Sequence, residues 1–136
     1  MINRLMKINL RVRSMENATQ LMTELLGGQV IFERGANTLG DYESRLFQVA
    51  DVTFDVGIPA NEDSDLAKTI DKLGEGIDSI CFAVDDVSEV GRQLESQGVH
   101  FVYEAEYDGS RIAFTHPKDA CGVKLEFMDG PTANPT

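Results

Sequence analysis

The chain has 136 residues, 42% of them hydrophobic, with a formal net charge of −11 at pH 7. That length supports one compact domain with a core, and the acid excess disfavours nucleic acid and anionic membranes, which are bound through clustered Lys and Arg. No run approaches the roughly 20 apolar residues of a membrane helix, and MINRLMKINLRV lacks the apolar core of a secretory signal.

The two cysteines, Cys81 and Cys121, form neither a C-x-x-C pair nor a disulfide framework, so reduced thiols in a cytoplasmic protein are expected. In chain order, Ile8, Leu10 and Val12 alternate as in a strand. Ser14 is a helix N-cap, Leu21, Met22 and Leu25 form the buried stripe of that helix, and Gly27-Gly28 ends it. VIFE, a glycine-containing turn, SRLFQV and VTFDV then supply three more strands. NEDSDLAKTIDKLGEG, about residues 60–76, reads as a connector helix capped by Asp63 or Ser64, with Leu66, Ile70 and Leu73 along one side.

The plan then recurs. Ile80, Phe82 and Val84 alternate. Asp86 caps a helix with Glu89 three residues on, Val87, Val90 and Leu94 are its stripe, and Gly98 is its stop. FVYE, SRIAFT and VKLEF follow, with a longer loop, THPKDACG, before the last of them. The order is β-α-β-β-β twice, about residues 5–59 and 77–129, which predicts a duplicated α+β domain. The tail 130–136, GPTANPT, has little to bury and is expected to fray.

With Ile8, Leu10, Val12 and their counterparts facing the helices, period two sends Lys7, Asn9, Arg11, Ser79, Cys81 and Ala83 to the other face. Thr53 and Asp55, and Lys124, Glu126 and Met128, join them from the closing strands. This face is either solvated, as in many antiparallel sheets, or the wall of a cavity. As a wall, cations beside Asp55 and Glu126 suit a small anionic or carbonyl-containing ligand. Asp55 and Glu126 stand at equivalent places in the two copies.

The repeated plan, with GEGIDSICFAVDDV and RIAFTHPKDACGVKLEF, resembles the vicinal oxygen chelate (glyoxalase, bleomycin resistance and dioxygenase) superfamily, most closely the methylmalonyl-CoA epimerases. The resemblance spans about Lys7 to Asp129. It implies a glyoxalase-like α+β fold: two tandem βαβββ modules whose curved mixed sheets enclose a cavity, with helices outside. It also implies a homodimer.

Members of this superfamily typically hold a divalent metal with a histidine on the first strand and an acid or glutamine on the last strand of each module. The acid positions fall on Asp55 and Glu126, and the histidine positions on Lys7 and Ser79. A protonated lysine has no lone pair to give a metal. No bound metal and no cofactor are therefore expected, with the Lys7 ammonium pairing with Asp55 or Glu126 where the ion would sit.

The resemblance implies an isomerase or lyase moving a proton beside a carbonyl. Lys7, Asp55 and Glu126 would be catalytic, with Glu43 as the other candidate base. Asn9, Arg11, Ser79, Cys81, Lys124 and His116 would contact substrate. A metal-free ligand-sequestering protein of the bleomycin-resistance type is the alternative, and an inactive scaffold is a third possibility.

Overall fold

Strand alternation and side-chain caps produce the expected order of elements. The computed structural model describes residues 1–35 and 41–136. Its first copy comprises β1 (Ile2–Arg11), α1 (Met15–Gln20) continued by a π turn (Leu21–Leu25), β2 (Gln29–Arg34), β3 (Tyr42–Val49) and β4 (Val52–Pro59). After α2 (Asp65–Leu73) come β5 (Gly76–Val84), α3 (Val87–Glu95), β6 (Phe101–Tyr107), β7 (Ser110–Thr115), a 3-10 turn (Pro117–Asp119), β8 (Leu125–Met128) and α4 (Gly130–Ala133). The glycine-containing turn expected after Glu33 falls largely on residues 36–40, outside the described residues. Among the described residues no helix is long and apolar enough to cross a membrane.

Contacts divide the chain into two compact units, Lys7–Asp78 and Met1–Met6 with Ser79–Thr136. The two ends of β1 therefore belong to different units.

In the Lys7–Asp78 unit the strand order is β2-β3-β4-β1, with β3 antiparallel to both neighbours and β1 parallel to β4. Ala18 and Met22 pack on Phe47 and Val56, joined by Leu10, Val12 and Phe54, so the helix covers the face expected from alternation. The expected helical stripe holds only in part. Met22 is buried, whereas Leu21 and Leu25 are exposed. The backbone bond from Leu26 N to Leu21 O, at 3.0 Å, is an i→i+5 bond. That wider turn shifts the last residues out of the 3.6 period.

Gly27 has φ of +72°, and a Cβ on Gly28 would lie 2.6–2.9 Å from Val49 Cγ2, Gln48 O and Met22 O. The glycine pair thus permits both a left-handed stop and a close approach to β3.

Ser64, rather than Asp63, caps α2: its Oγ accepts from Ala67 N at 3.1 Å. Ala67 and Ile70 are buried, but Leu73, expected on the same side, is exposed beside the C-terminal Gly74. Arg11 secures this end of the helix, donating from Nε to Gly74 O at 2.8 Å and from Nη1 to Ile77 O at 3.0 Å and Asp78 Oδ1 at 3.2 Å.

In the other unit the order is β5-β8-β7-β6, again with the first and last strands of the copy parallel and the hairpin neighbours antiparallel. Val84, Val87, Val90, Ala113 and Phe127 form its core, with Leu94 packed against it. The α3 stripe is therefore as expected. Asp86 caps α3, accepting from Ser88 N at 2.8 Å and Glu89 N at 3.4 Å.

The repeated Ser-Arg pairs act as straps from sheet to helix. Arg111 donates to Asp86 Oδ1 at 2.7 Å, to Asp129 Oδ2 at 3.0 Å and to Ser88 Oγ. Its counterpart Arg45 donates to Thr19 Oγ1 of α1 at 2.9 Å and pairs with Glu33 at 2.8 Å.

The tail expected to fray is instead held. Gly130–Ala133 is helical, with Ala133 buried. Arg4 donates to Ala133 O at 2.7 Å, Asn3 to Asn134 Oδ1 at 2.8 Å, and Asn134 to Val84 O at 2.9 Å. Polar side chains on β1 and the Asn134 amide supply this anchoring alongside the burial of Ala133.

Candidate functional site

The parallel ladder of β1 and β4 sets Asn9 opposite Asp55. Lys7 lies two residues earlier on the same face, within reach of that carboxylate. Its Nζ donates to Asp55 Oδ2 at 2.6 Å, and each residue is only 7% exposed. The solvated reading of this face therefore fails at both residues. Each charge loses hydration worth several kcal/mol, which only a close, hydrogen-bonded partner offsets.

A residue not foreseen from the sequence joins them. Arg34, at the end of β2, places Nη1 3.7 Å from the same Asp55 Oδ2. Its guanidinium also donates to Ser44 Oγ at 3.3 Å and lies 5.7 Å from the centroid of the Phe32 ring. The available signal was parity: Phe32 and Arg34 alternate onto one face, and Arg34 pairs with the serine of the Ser-Arg repeat. An arginine suits this place because it keeps its charge when buried.

The Met1–Met6 and Ser79–Thr136 unit repeats the ladder with different chemistry. Cys81 stands opposite Glu126 as Asn9 stands opposite Asp55. Ser79, Cys81 and Glu126 are all buried, Glu126 to 4% exposure. Cys81 Sγ lies 3.9 Å from Met6 Sδ. Phe114 of β7 is the other ladder neighbour of Glu126, and Lys124 Nζ sits 4.7 Å from the centroid of its ring.

Three expected site residues stand elsewhere. Arg11 is committed to the end of α2. Glu43 is exposed and shares strand parity with Phe47, which packs on the helix side, whereas Leu46 is the ladder partner of Asp55. The pleat thus puts Glu43 on the face opposite Asp55. His116 is exposed, and its Nδ1 accepts from Lys118 N at 3.1 Å, capping the 3-10 turn.

The divalent metal implied by the resemblance does not fit these residues. Among the described residues no group of three or more His, Cys, Asp and Glu side chains comes together to hold one. One oxygen of Asp55 already faces two cations, and Lys7 offers a proton where a metal needs a lone pair.

The profile of the Glyoxalase/Bleomycin resistance protein/Dioxygenase superfamily matches residues 2–127. The uncharacterized protein YqjC of Bacillus subtilis (strain 168) is 26% identical, over 94% of this chain and 93% of its own. Methylmalonyl-CoA epimerase from Mycobacterium tuberculosis is 30% identical, with a TM-score of 0.81 over 94% of this chain and 88% of that one. A methylmalonyl-CoA epimerase solved in complex with methylmalonyl-CoA and NH4+ is 25% identical, with a TM-score of 0.85 over 98% of both chains.

Proposed function

Because the chain belongs to the Glyoxalase/Bleomycin resistance protein/Dioxygenase superfamily, we propose that it moves a proton on the carbon beside a carbonyl of a small anionic acyl compound. The reaction is of the isomerase or lyase type, and the Lys7 ammonium takes the place of a metal ion. The observation that carries this reading is the buried Lys7–Asp55 pair, at 2.6 Å, on a strand position where the family resemblance implies a metal ligand. The epimerase neighbours support the substrate class, and one of them was solved with both a methylmalonyl thioester and an ammonium ion.

In this mechanism a carboxylate base takes the α-proton. The electron pair of the broken C–H bond moves into the carbonyl, forming an enolate whose oxygen accepts a hydrogen bond from Lys7 Nζ. Asp55 fixes the position of that ammonium, and Arg34 approaches the same carboxylate oxygen and helps to orient it. Return of a proton to carbon regenerates the acyl compound, with inversion when it arrives on the other face. Asn9, on the face of Lys7 and opposite Asp55, contacts the substrate.

The test is α-carbon exchange. 2-Methyl-substituted malonyl thioesters incubated with the protein in deuterated water are expected to lose their α-proton NMR signal. Lys7→Ala and Lys7→Met are expected to abolish exchange while retaining the native circular dichroism spectrum. Full exchange in either variant removes Lys7 from the mechanism.

The unsuitability of these residues as a metal site favours a second reading, sequestration of an intact ligand. Tight binding of an unmodified compound without exchange across the thioester panel would select it. A cytoplasmic homodimer belongs to both readings, and sedimentation equilibrium reports its mass.

A further inference from the structure

The duplication provides an internal comparison beside the two acids. Superposing Ser44-Arg45 on Ser110-Arg111 and Asp55 on Glu126 makes Gln48 equivalent to Phe114 and Thr53 equivalent to Lys124. In the first copy this pair is closed and neutral: Thr53 Oγ1 donates to Gln48 Oε1 at 2.8 Å, and Gln48 Nε2 donates to Ala50 O at 2.8 Å. In the second copy the same two positions hold a cation over a ring, with Lys124 Nζ 4.7 Å from the Phe114 centroid. Tyr103, the ladder partner of Phe114 on β6, adds a second ring at 5.9 Å and 53°. Its side chain is half exposed, so its ring is open to a ligand.

We propose that Lys124, Phe114 and Tyr103 form a subsite for the non-reacting end of the ligand, selecting a flat, π-rich group that carries negative charge. The anion meets the Lys124 ammonium, and the plane of the group lies on Tyr103. Three features point there. The rings share the face of Glu126, since Phe114 is its ladder neighbour. Contact with the ring restrains a long, flexible side chain, so less rotamer freedom is lost when an anion binds. The cation is also specific to this copy, because its equivalent is a threonine engaged with Gln48. The inference rests on the proposed function only for the catalytic role expected of Glu126.

The probes are benzoate, cyclohexanecarboxylate and benzyl alcohol, titrated by calorimetry and by NMR of ring-labelled Phe and Tyr. Benzoate is expected to shift the Tyr103 and Phe114 signals and to bind about fivefold more tightly than cyclohexanecarboxylate. Benzyl alcohol, lacking charge, should bind more weakly than either acid. Lys124→Met should weaken benzoate about tenfold or more. Phe114→Leu should remove the preference for the aromatic acid. Tyr103→Leu changes an exposed ring and keeps the test open if Phe114→Leu does not fold.

Equal affinities for the two acids, an unchanged benzoate affinity in Lys124→Met, or shifts confined to other rings would overturn the subsite. Absence of α-exchange with every thioester, alongside intact benzoate selection, would defeat the proposed reaction and leave the subsite standing. Exchange without aromatic preference would defeat the subsite alone.

Discussion

Replacing Lys7 with Met keeps most of the stem and deletes the charge, which isolates the electrostatic part of the buried pair. Asp55 then loses its 2.6 Å hydrogen bond and retains Arg34 at 3.7 Å. Breaking a buried ion pair from one side typically costs about 3–5 kcal/mol, because the remaining charge is left without full compensation. Arg34 supplies part of that compensation, which places Lys7→Met near the lower end, about 3 kcal/mol. For a chain of this size that corresponds to a fall in Tm of about 10 °C. Urea unfolding followed by circular dichroism measures it as a lower midpoint with an unchanged slope. The double variant Lys7→Met/Asp55→Asn also removes the stranded carboxylate and should recover part of the loss, a coupling of about 1–2 kcal/mol. A loss below about 0.5 kcal/mol in the single variant, the scale of an exposed pair, would refute the reasoning.

Other perturbations test other parts of the structure. Gly28→Ala would press a Cβ to within 2.6–2.9 Å of Val49 Cγ2 and two backbone oxygens, and is expected to cost about 2–3 kcal/mol in thermal unfolding. A neutral result would mean that the turn can move away from β3.

Burial works against ionisation of Asp86, but the N–H donors of Ser88 and Glu89 and the Arg111 side chain outweigh it and hold its pKa below the usual carboxylate value. A depressed folded value adds stability that is present above the unfolded pKa of about 3.9 and is lost as pH falls through the folded value. Asp86→Asn should therefore flatten the stability–pH curve below about pH 4, and an unchanged slope would contradict this. Glu126→Gln should reduce α-exchange by about a hundredfold or more at unchanged secondary structure, and wild-type exchange in that variant would move the base elsewhere.

Much of the fold was legible because local signals agreed with the global plan. Alternation in KINLRV and SICFAV sorted the strand faces, Ser14 and Asp86 capped their helices, and the duplicated ladder put Asp55 and Glu126 at matching positions. The π turn was not legible, since Leu21 and Leu25 fit a 3.6 period until one wider turn displaces them. Leu73 fitted the connector stripe but falls in its last turn, beside Gly74, where exposure prevails.

At the site, Lys7 and Asp55 were found because parity and register act together on them. Glu43 was expected there because the family resemblance implied a base just before the Ser-Arg segment, although counting from Phe47 puts it on the other face. Arg34 was missed because parity gives only its face, while its reach to Asp55 depends on the β2–β3 and β3–β4 registers together. The anchored tail depends on Asn3 and Arg4, more than a hundred residues away in sequence.

The most direct test of the lysine-for-metal substitution is diffraction at the cobalt edge from crystals soaked in cobalt(II), with metal analysis of the purified protein alongside. The expected result is Lys7 Nζ within about 3 Å of an Asp55 oxygen, with no anomalous peak on Asp55 or Glu126. A stoichiometric ion bonded to either acid, with the lysine turned away, would contradict it.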